Sequence, residues 1–259
     1  MKRKVKELKR IARGNLQGNF AELIRAFVFC NLIVSLIETP FSSMTTETLL
    51  STSNIIYIVA LSLIKIASVV LTVGQYCLHL SVARGGKVRM SDFFYPIKYD
   101  ANRLICAEAI LFILRLIGLA PAIGAVVILN SYEDMTMYLV AFGLAILSCI
   151  LTILIEVTFG MTYFALIDGE ELSVLEAFKT ALKLIKTHKG RFFYMQLSFI
   201  GMYALVLLTF GLGLLWVQPY VIQTTTVFYL DIKGELEELL EKQKESEPTP
   251  EPVAIDTYA

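Results

Sequence analysis

Lys65, Glu108, Arg115 and Glu156 stand out because each is an ionisable residue inside an apolar run. Charges at membrane depth are costly and usually face protein or water, which makes them the first candidates for function in such a chain. Glu108 and Arg115 are seven residues apart and so share one face of a helix. Lys65 lies about 11 residues from the outer end of its run, and Arg115 and Glu156 about 11 from the inner ends of theirs, which at about 1.5 Å per residue brings them toward mid-depth. Two kinds of chemistry fit. Glu108 and Glu156 could neutralise Lys65 and Arg115 in a closed ion-paired network. Alternatively, the four could line an ion or proton path, or a site for a charged substrate. Arg25 and His79 fall near the cytoplasmic interface, where they can snorkel, and Glu38 beside Pro40 is expected to be solvated.

Other chemistries lack their signatures. The chain has no P-loop, GxSxG, HExxH or Rossmann fingerprint. Its two histidines, His79 and His188, are too few and too far apart for a histidine-rich metal site. Cys30, Cys77, Cys106 and Cys149 each lie in an apolar run without CxxC spacing, which argues against a disulfide framework or a zinc site. No enzyme activity, cofactor, metal or nucleic-acid partner is expected.

The elements that position the four charges follow from composition. Apolar residues make up 56% of the 259 and charged residues 18%, and the mean hydropathy is +0.65. A soluble domain usually holds about 45–50% apolar and about 25% charged residues. Apolar runs span Phe20–Ile37, Asn54–Ala83, Leu104–Leu129 and Thr136–Ile167, followed by a charge-free run of 39 residues, Phe192–Leu230. One crossing needs about 20 residues, so the last run divides into two spans at a turn near Gly211–Gly213. The expected fold is therefore an all-α, polytopic transmembrane bundle of six spans. Charge sets its orientation. Of 23 Lys and Arg, twenty fall at the N-terminus, between the second and third spans, between the fourth and fifth, and in the tail, while the intervening loops hold none. This positive-inside pattern places both termini in the cytoplasm. Trp216, Tyr220, Phe228 and Tyr229 read as an interfacial aromatic belt.

Each cytoplasmic segment carries a helical apolar period: Val5–Gly18, Met90–Ala101, and Leu172–Thr187 with Leu175, Phe178, Ala181, Leu182 and Ile185 on one face. Such helices are expected along the anionic inner leaflet, apolar face down. The order of amphipathic helix, span, outer turn and span recurs three times, and Arg84–Phe94 parallels Asp168–Phe178. The expected domains are a basic amphipathic helix (1–19), a six-span membrane domain (20–232) and an acidic, mostly disordered tail (233–259).

Several strings, taken together, resemble a known family. They are Leu172-Ser-Val-Leu-Glu-Ala-Phe178, His188-Lys-Gly190, Leu197-Ser-Phe-Ile-Gly201, Gly211-Leu-Gly-Leu-Leu-Trp216, Pro219-Tyr220 and Phe228-Tyr229, with Leu8 to Ala12 and Gly18-Asn19 near the start. The chain resembles the domain-of-unknown-function family nine-seven-five over nearly its full length short of the acidic tail. It departs at Met202, where the family has Trp. The resemblance implies a multi-span protein of the bacterial (Firmicutes-type) plasma membrane and supplies no activity or site. The expected function is to bind or move a small or lipidic solute. The alternative is a non-catalytic scaffold or accessory subunit with a membrane-protein partner.

Overall fold

The computed structural model describes residues 3–39, 52–99, 101–132, 134–169 and 171–246. Among them twelve helices follow in order: α1 (Val5–Leu16), α2 (Phe20–Glu38), α3 (Thr52–Ala83), α4 (Met90–Tyr99), α5 (Ala101–Ser131), α6 (Met135–Phe159), α7 (Thr162–Asp168), α8 (Val174–Ile185), α9 (Lys189–Leu197), α10 (Ile200–Leu208), α11 (Leu214–Lys233) and α12 (Leu236–Ser246). The protein is all-helical over these residues. The disorder expected of the tail falls, from residue 247 onward, outside them.

Among the described residues, five stretches are long and apolar enough to cross a membrane: Phe20–Glu38, Ile58–Ala83, Ala101–Ser131, Met135–Asp168 and Lys189–Leu208. Only 11–28% of each apolar window is enclosed by protein. Leu36, Ile56, Leu63, Ile117, Leu139 and Phe142 are among the large side chains left outside. Soluble monomers rarely expose apolar patches beyond a few hundred Å², whereas hydrocarbon solvates such a surface. The helices therefore suit a membrane protein.

The expected sixth span, α11, is not among the five. Gln218, Gln223, Thr224, Thr225 and Thr226 lower its apolar content. They are tolerated because α11 is largely enclosed, packed against α1, α2, α3, α8, α10 and α12. Its threonine hydroxyls donate to carbonyls one turn back, as Thr224 does to Tyr220 at 2.8 Å, so their burial leaves no hydroxyl unsatisfied. Enclosure also changes two sequence-based readings. Tyr220, Phe228 and Tyr229 are core residues rather than an interfacial belt, and Trp216 alone of the four is exposed. His79 does not snorkel; it is buried, with its Nδ1 2.7 Å from Gln223 Oε1.

Two glycines set the close geometry. Gly74 lets α4 lie against α3, because a Cβ there would stand 2.4 Å from the Phe93 carbonyl oxygen. Gly211, at φ +89°, makes the turn between α10 and α11 in the left-handed region that glycine adopts freely.

The amphipathic helices pack back onto the bundle: α4 against α3, α8 against α7, and α1 against α11. Leu8, Ala12 and Leu16 of α1 and Ala177, Phe178, Ala181 and Ile185 of α8 are buried in the common core. The apolar faces assigned to lipid thus meet protein in these two helices, and Leu175 points outward. Helix α8 starts in a capping box, with Ser173 and Glu176 exchanging hydrogen bonds; such a cap contributes about 1 kcal/mol.

The C-terminal ends of α3, α7 and α11 meet in one polar clasp. Arg84 donates to Asp168 (2.9 Å) and to Glu235 (2.7 Å), and Lys233 donates to the same two carboxylates (2.7 and 2.9 Å). The Tyr229 hydroxyl donates to Asp168 (2.9 Å). Beside the clasp, Phe164 stacks between Tyr76 and Tyr229, with centroids 5.2 and 5.1 Å away, so each of the three helices contributes one ring.

The hydrogen bond from Arg84 holds the Glu235 carboxyl at about 2, below its ordinary 4.5; burial opposes the shift and Lys233 reinforces it. A carboxyl depressed on folding adds stability that is complete above its unfolded value and is lost as pH falls through the folded one. Thermal melts in detergent are expected to lose stability between pH 4.5 and about 2, and Glu235→Gln should flatten that part of the profile. An unchanged slope in the variant would remove Glu235 from the clasp's energetics.

Candidate functional site

Three of the four intramembrane charges come together. Glu108 and Arg115 project from the same face of α5, and Glu156 comes from α6. The Arg115 guanidinium donates through Nη1 to Glu108 (2.7 Å) and through Nε to Glu156 (2.8 Å). The Tyr163 hydroxyl, on α7, donates to the second oxygen of Glu108. Helices α5 and α6 form the closest-packed hairpin of the chain. Gly118 permits this: a Cβ there would stand 2.9 Å from Ile155 Cδ1 and 3.3 Å from the Thr152 hydroxyl, and Ser148 donates to its carbonyl at 2.8 Å.

Lys65 stands apart. It pairs with Glu38 at 2.9 Å, linking α3 to α2, and its side chain is largely exposed. The expected solvated Glu38 therefore has a partner, and Glu108 and Glu156 share one cation rather than two.

The trio is asymmetric. Glu108 is buried, whereas the Glu156 side chain is 51% exposed and forms part of the wall of a cleft of about 520 Å³ between α6 and α9–α11. Thr152, Gln196, Tyr203, Gln218 and Thr225 add polar atoms to an otherwise aliphatic and aromatic lining that includes Ile153, Leu197 and Val221. The Tyr203 hydroxyl donates to Gln218 Oε1 at 3.3 Å. Gly160 keeps the inner end of the cleft tight, because a Cβ there would press on the Phe192 ring at 3.3 Å. Arg115 and Lys65 do not line this cleft.

With both carboxylates ionised, the trio carries one more negative than positive charge. Glu156 can thus offer a carboxylate oxygen to a hydrogen-bond donor or a cation in the cleft, while Arg115 and Tyr163 hold the arrangement in place. An apolar wall with a few polar atoms is the kind of lining that can hold and orient a ligand. Sequence reasoning missed Tyr163 and the glutamines. Gln196 and Gln218 lie within the long charge-free run, where a count of charges passes over them, although they are the strongly polar residues of that run together with Gln223.

A family model described as a protein of unknown function (DUF975) matches residues 1–235. No curated protein and no solved structure matches the chain.

Replacing Arg115 by Met strands two carboxylates in an apolar setting. Removing one partner of a fully buried pair costs about 3–5 kcal/mol; with the Glu156 side chain 51% exposed the loss falls toward the lower end, and replacing the whole set is far milder. Arg115→Met is therefore expected to lower the unfolding midpoint in detergent sharply, with Glu108→Gln and Glu156→Gln added to it restoring most of the loss. An equal loss in the triple variant would mean that charge pairing is not what these residues contribute.

Proposed function

Since the chain belongs to the DUF975 family, whose description carries no activity, we propose from the site alone that it is a membrane protein that binds an amphiphile in the cleft beside Glu156. One observation carries the reading: a cleft of about 520 Å³ that is mostly apolar yet holds a half-exposed carboxylate on its wall. Such a lining suits a ligand with a hydrocarbon part against Ile153, Leu197 and Val221 and a hydrogen-bond donor or cationic head at Glu156. Binding is the first step of moving such a solute, and the trio gives its polar head somewhere to rest within hydrocarbon.

The topology we infer has six crossings in a bacterial plasma membrane, with both termini cytoplasmic, arranged as three hairpins. The sorting of twenty Lys and Arg supports an even number. Low hydropathy in α11 does not oppose it, because an enclosed helix meets little lipid. Arg84-Gly85, Asp168-Gly169 and Lys233-Gly234 each end a returning helix and meet in the clasp, which supports the threefold repeat.

Two experiments test the proposal. Native mass spectrometry of protein extracted in mild detergent should show a bound amphiphile that Ile153→Trp displaces and Glu38→Gln leaves in place. Unliganded protein refutes the reading, and a stoichiometric membrane-protein partner in its place turns it toward a scaffold. For topology, Leu212→Cys, in a background without the four native cysteines, should react with an impermeant thiol reagent from outside intact cells. Labelling from the inside alone would make α9–α11 a hairpin that does not cross.

A further inference from the structure

Arg13 borders two hollows at once, both distinct from the cleft at Glu156. On one side it closes a basic hollow of about 430 Å³ along α1, together with Lys4, Lys6 and Arg10. Glu7 also lines this hollow, and its carboxylate is already taken by Arg3 at 2.6 Å. On its other side Arg13 heads a groove, again of about 430 Å³, that passes Leu16, Phe20, Met202 and Trp216 between the start of α2 and the α10–α11 hairpin. The groove is almost wholly apolar, so charge is concentrated at one end and hydrocarbon-like surface at the other.

The arginine is held in this position. Its Nε donates to the Tyr220 hydroxyl at 3.1 Å, and its guanidinium carbon lies 5.5 Å from the centre of the same ring. A guanidinium carries five N–H donors in a planar fork, so the Nε contact leaves the Nη pair for an anion. The neighbouring Lys9 turns inward, over the Phe199 ring at 3.7 Å and onto the Ser198 carbonyl, and so does not fill the groove. Trp216 is 55% exposed on the groove wall. An indole presents a broad apolar face, which suits contact along an acyl chain.

We propose that the joined hollows bind one anionic phospholipid, its phosphate against Arg13 and Arg10 and an acyl chain along Phe20, Met202 and Trp216. The charge balance selects the occupant. Four cations face a single, already paired acid, so a net-negative headgroup gains what a zwitterionic one forfeits through its own ammonium. The apolar groove continuing from the same arginine selects a lipid over a free anion. The other anionic candidate within reach of the argument is the chain's own acidic segment 247–259, with Glu247, Glu251 and Asp256.

Trp216 is the only tryptophan in the sequence, so its fluorescence reports on this groove. The full chain, reconstituted in phosphatidylcholine vesicles, receives equal mole fractions of brominated phosphatidylglycerol or brominated phosphatidylcholine. The anionic quencher is expected to associate with Trp216 more strongly, by about fivefold per engaged cation. Arg13→Gln should lower the ratio about fivefold, Arg10→Gln added to it should bring the ratio close to one, and high salt should lower it in the unaltered chain by screening. The salt titration decides the matter if the variant fails to fold. Equal quenching by both lipids overturns the proposal, as does a preference that neither Arg13→Gln nor high salt lowers. A preference that emerges only after residues 247–259 are removed assigns the basic hollow to the tail and likewise overturns it.

Discussion

Everything else in the bundle hangs from the clasp where Arg84, Asp168, Lys233 and Glu235 meet. Two cations and two carboxylates bind the ends of α3, α7 and α11, and the Tyr229 hydroxyl adds a second donor to the Asp168 oxygen that Lys233 holds. The geometry works because each donor reaches two acceptors, which a single exposed ion pair cannot offer. Next to it the rings of Tyr76, Phe164 and Tyr229 stack, so the contact passes from charge to aromatic surface without a gap. With one end fixed, the three helices can diverge. The N-terminal half of α3 and much of α5, α6 and α10 lie open, and the buried residues gather toward the clasp.

This distribution inverts the arrangement of a soluble protein. Apolar side chains of α2, α5, α6 and α10 face outward, while Gln223, Thr224 and Thr226 of α11 are buried. Both choices follow from the solvent. Hydrocarbon accepts an exposed Leu at no cost but cannot satisfy an amide or hydroxyl. The polar side chains of α11 therefore belong where protein surrounds them, and α1 supplies part of that cover. Because α1 closes on α11 as α4 does on α3 and α8 on α7, the first helix of the chain completes the packing of the last hairpin.

The spaces between the helices show where ligands could sit. Hairpin α5–α6 stays closed on itself, with the Arg115 trio as its polar fastening, and the space it leaves against α9–α11 is the cleft at Glu156. The groove beside Arg13 lies between the start of α2 and the α10–α11 hairpin. In both cases a charged side chain held by a neighbour stands at an apolar space: Glu156, paired with Arg115, on the wall of the first, and Arg13, bonded to Tyr220, at the mouth of the second. The difference lies in the sign of the residual charge, negative at the first and positive at the second.

The sequence alone established the helices, their approximate limits, the outward apolar surface and the family. Those properties belong to residues close together in the chain, and the apolar period and Lys/Arg sorting report them directly. It also located three of the residues that meet at the trio, because Glu108 and Arg115 share a helix face. It could not tell that Lys65 answers to Glu38, that Tyr163 completes the trio, or that His79 and the aromatic residues of α11 are interior. Those are decisions between segments far apart: Arg84 and Glu235 are 151 residues apart, His79 and Gln223 are 144 apart, and Arg115 and Glu156 are 41 apart. Hydropathy assigns each residue a preference for water or hydrocarbon, but the interior of a helical bundle is a third environment. Only the packing of helices decides which polar side chains enter it and which partner each one finds there.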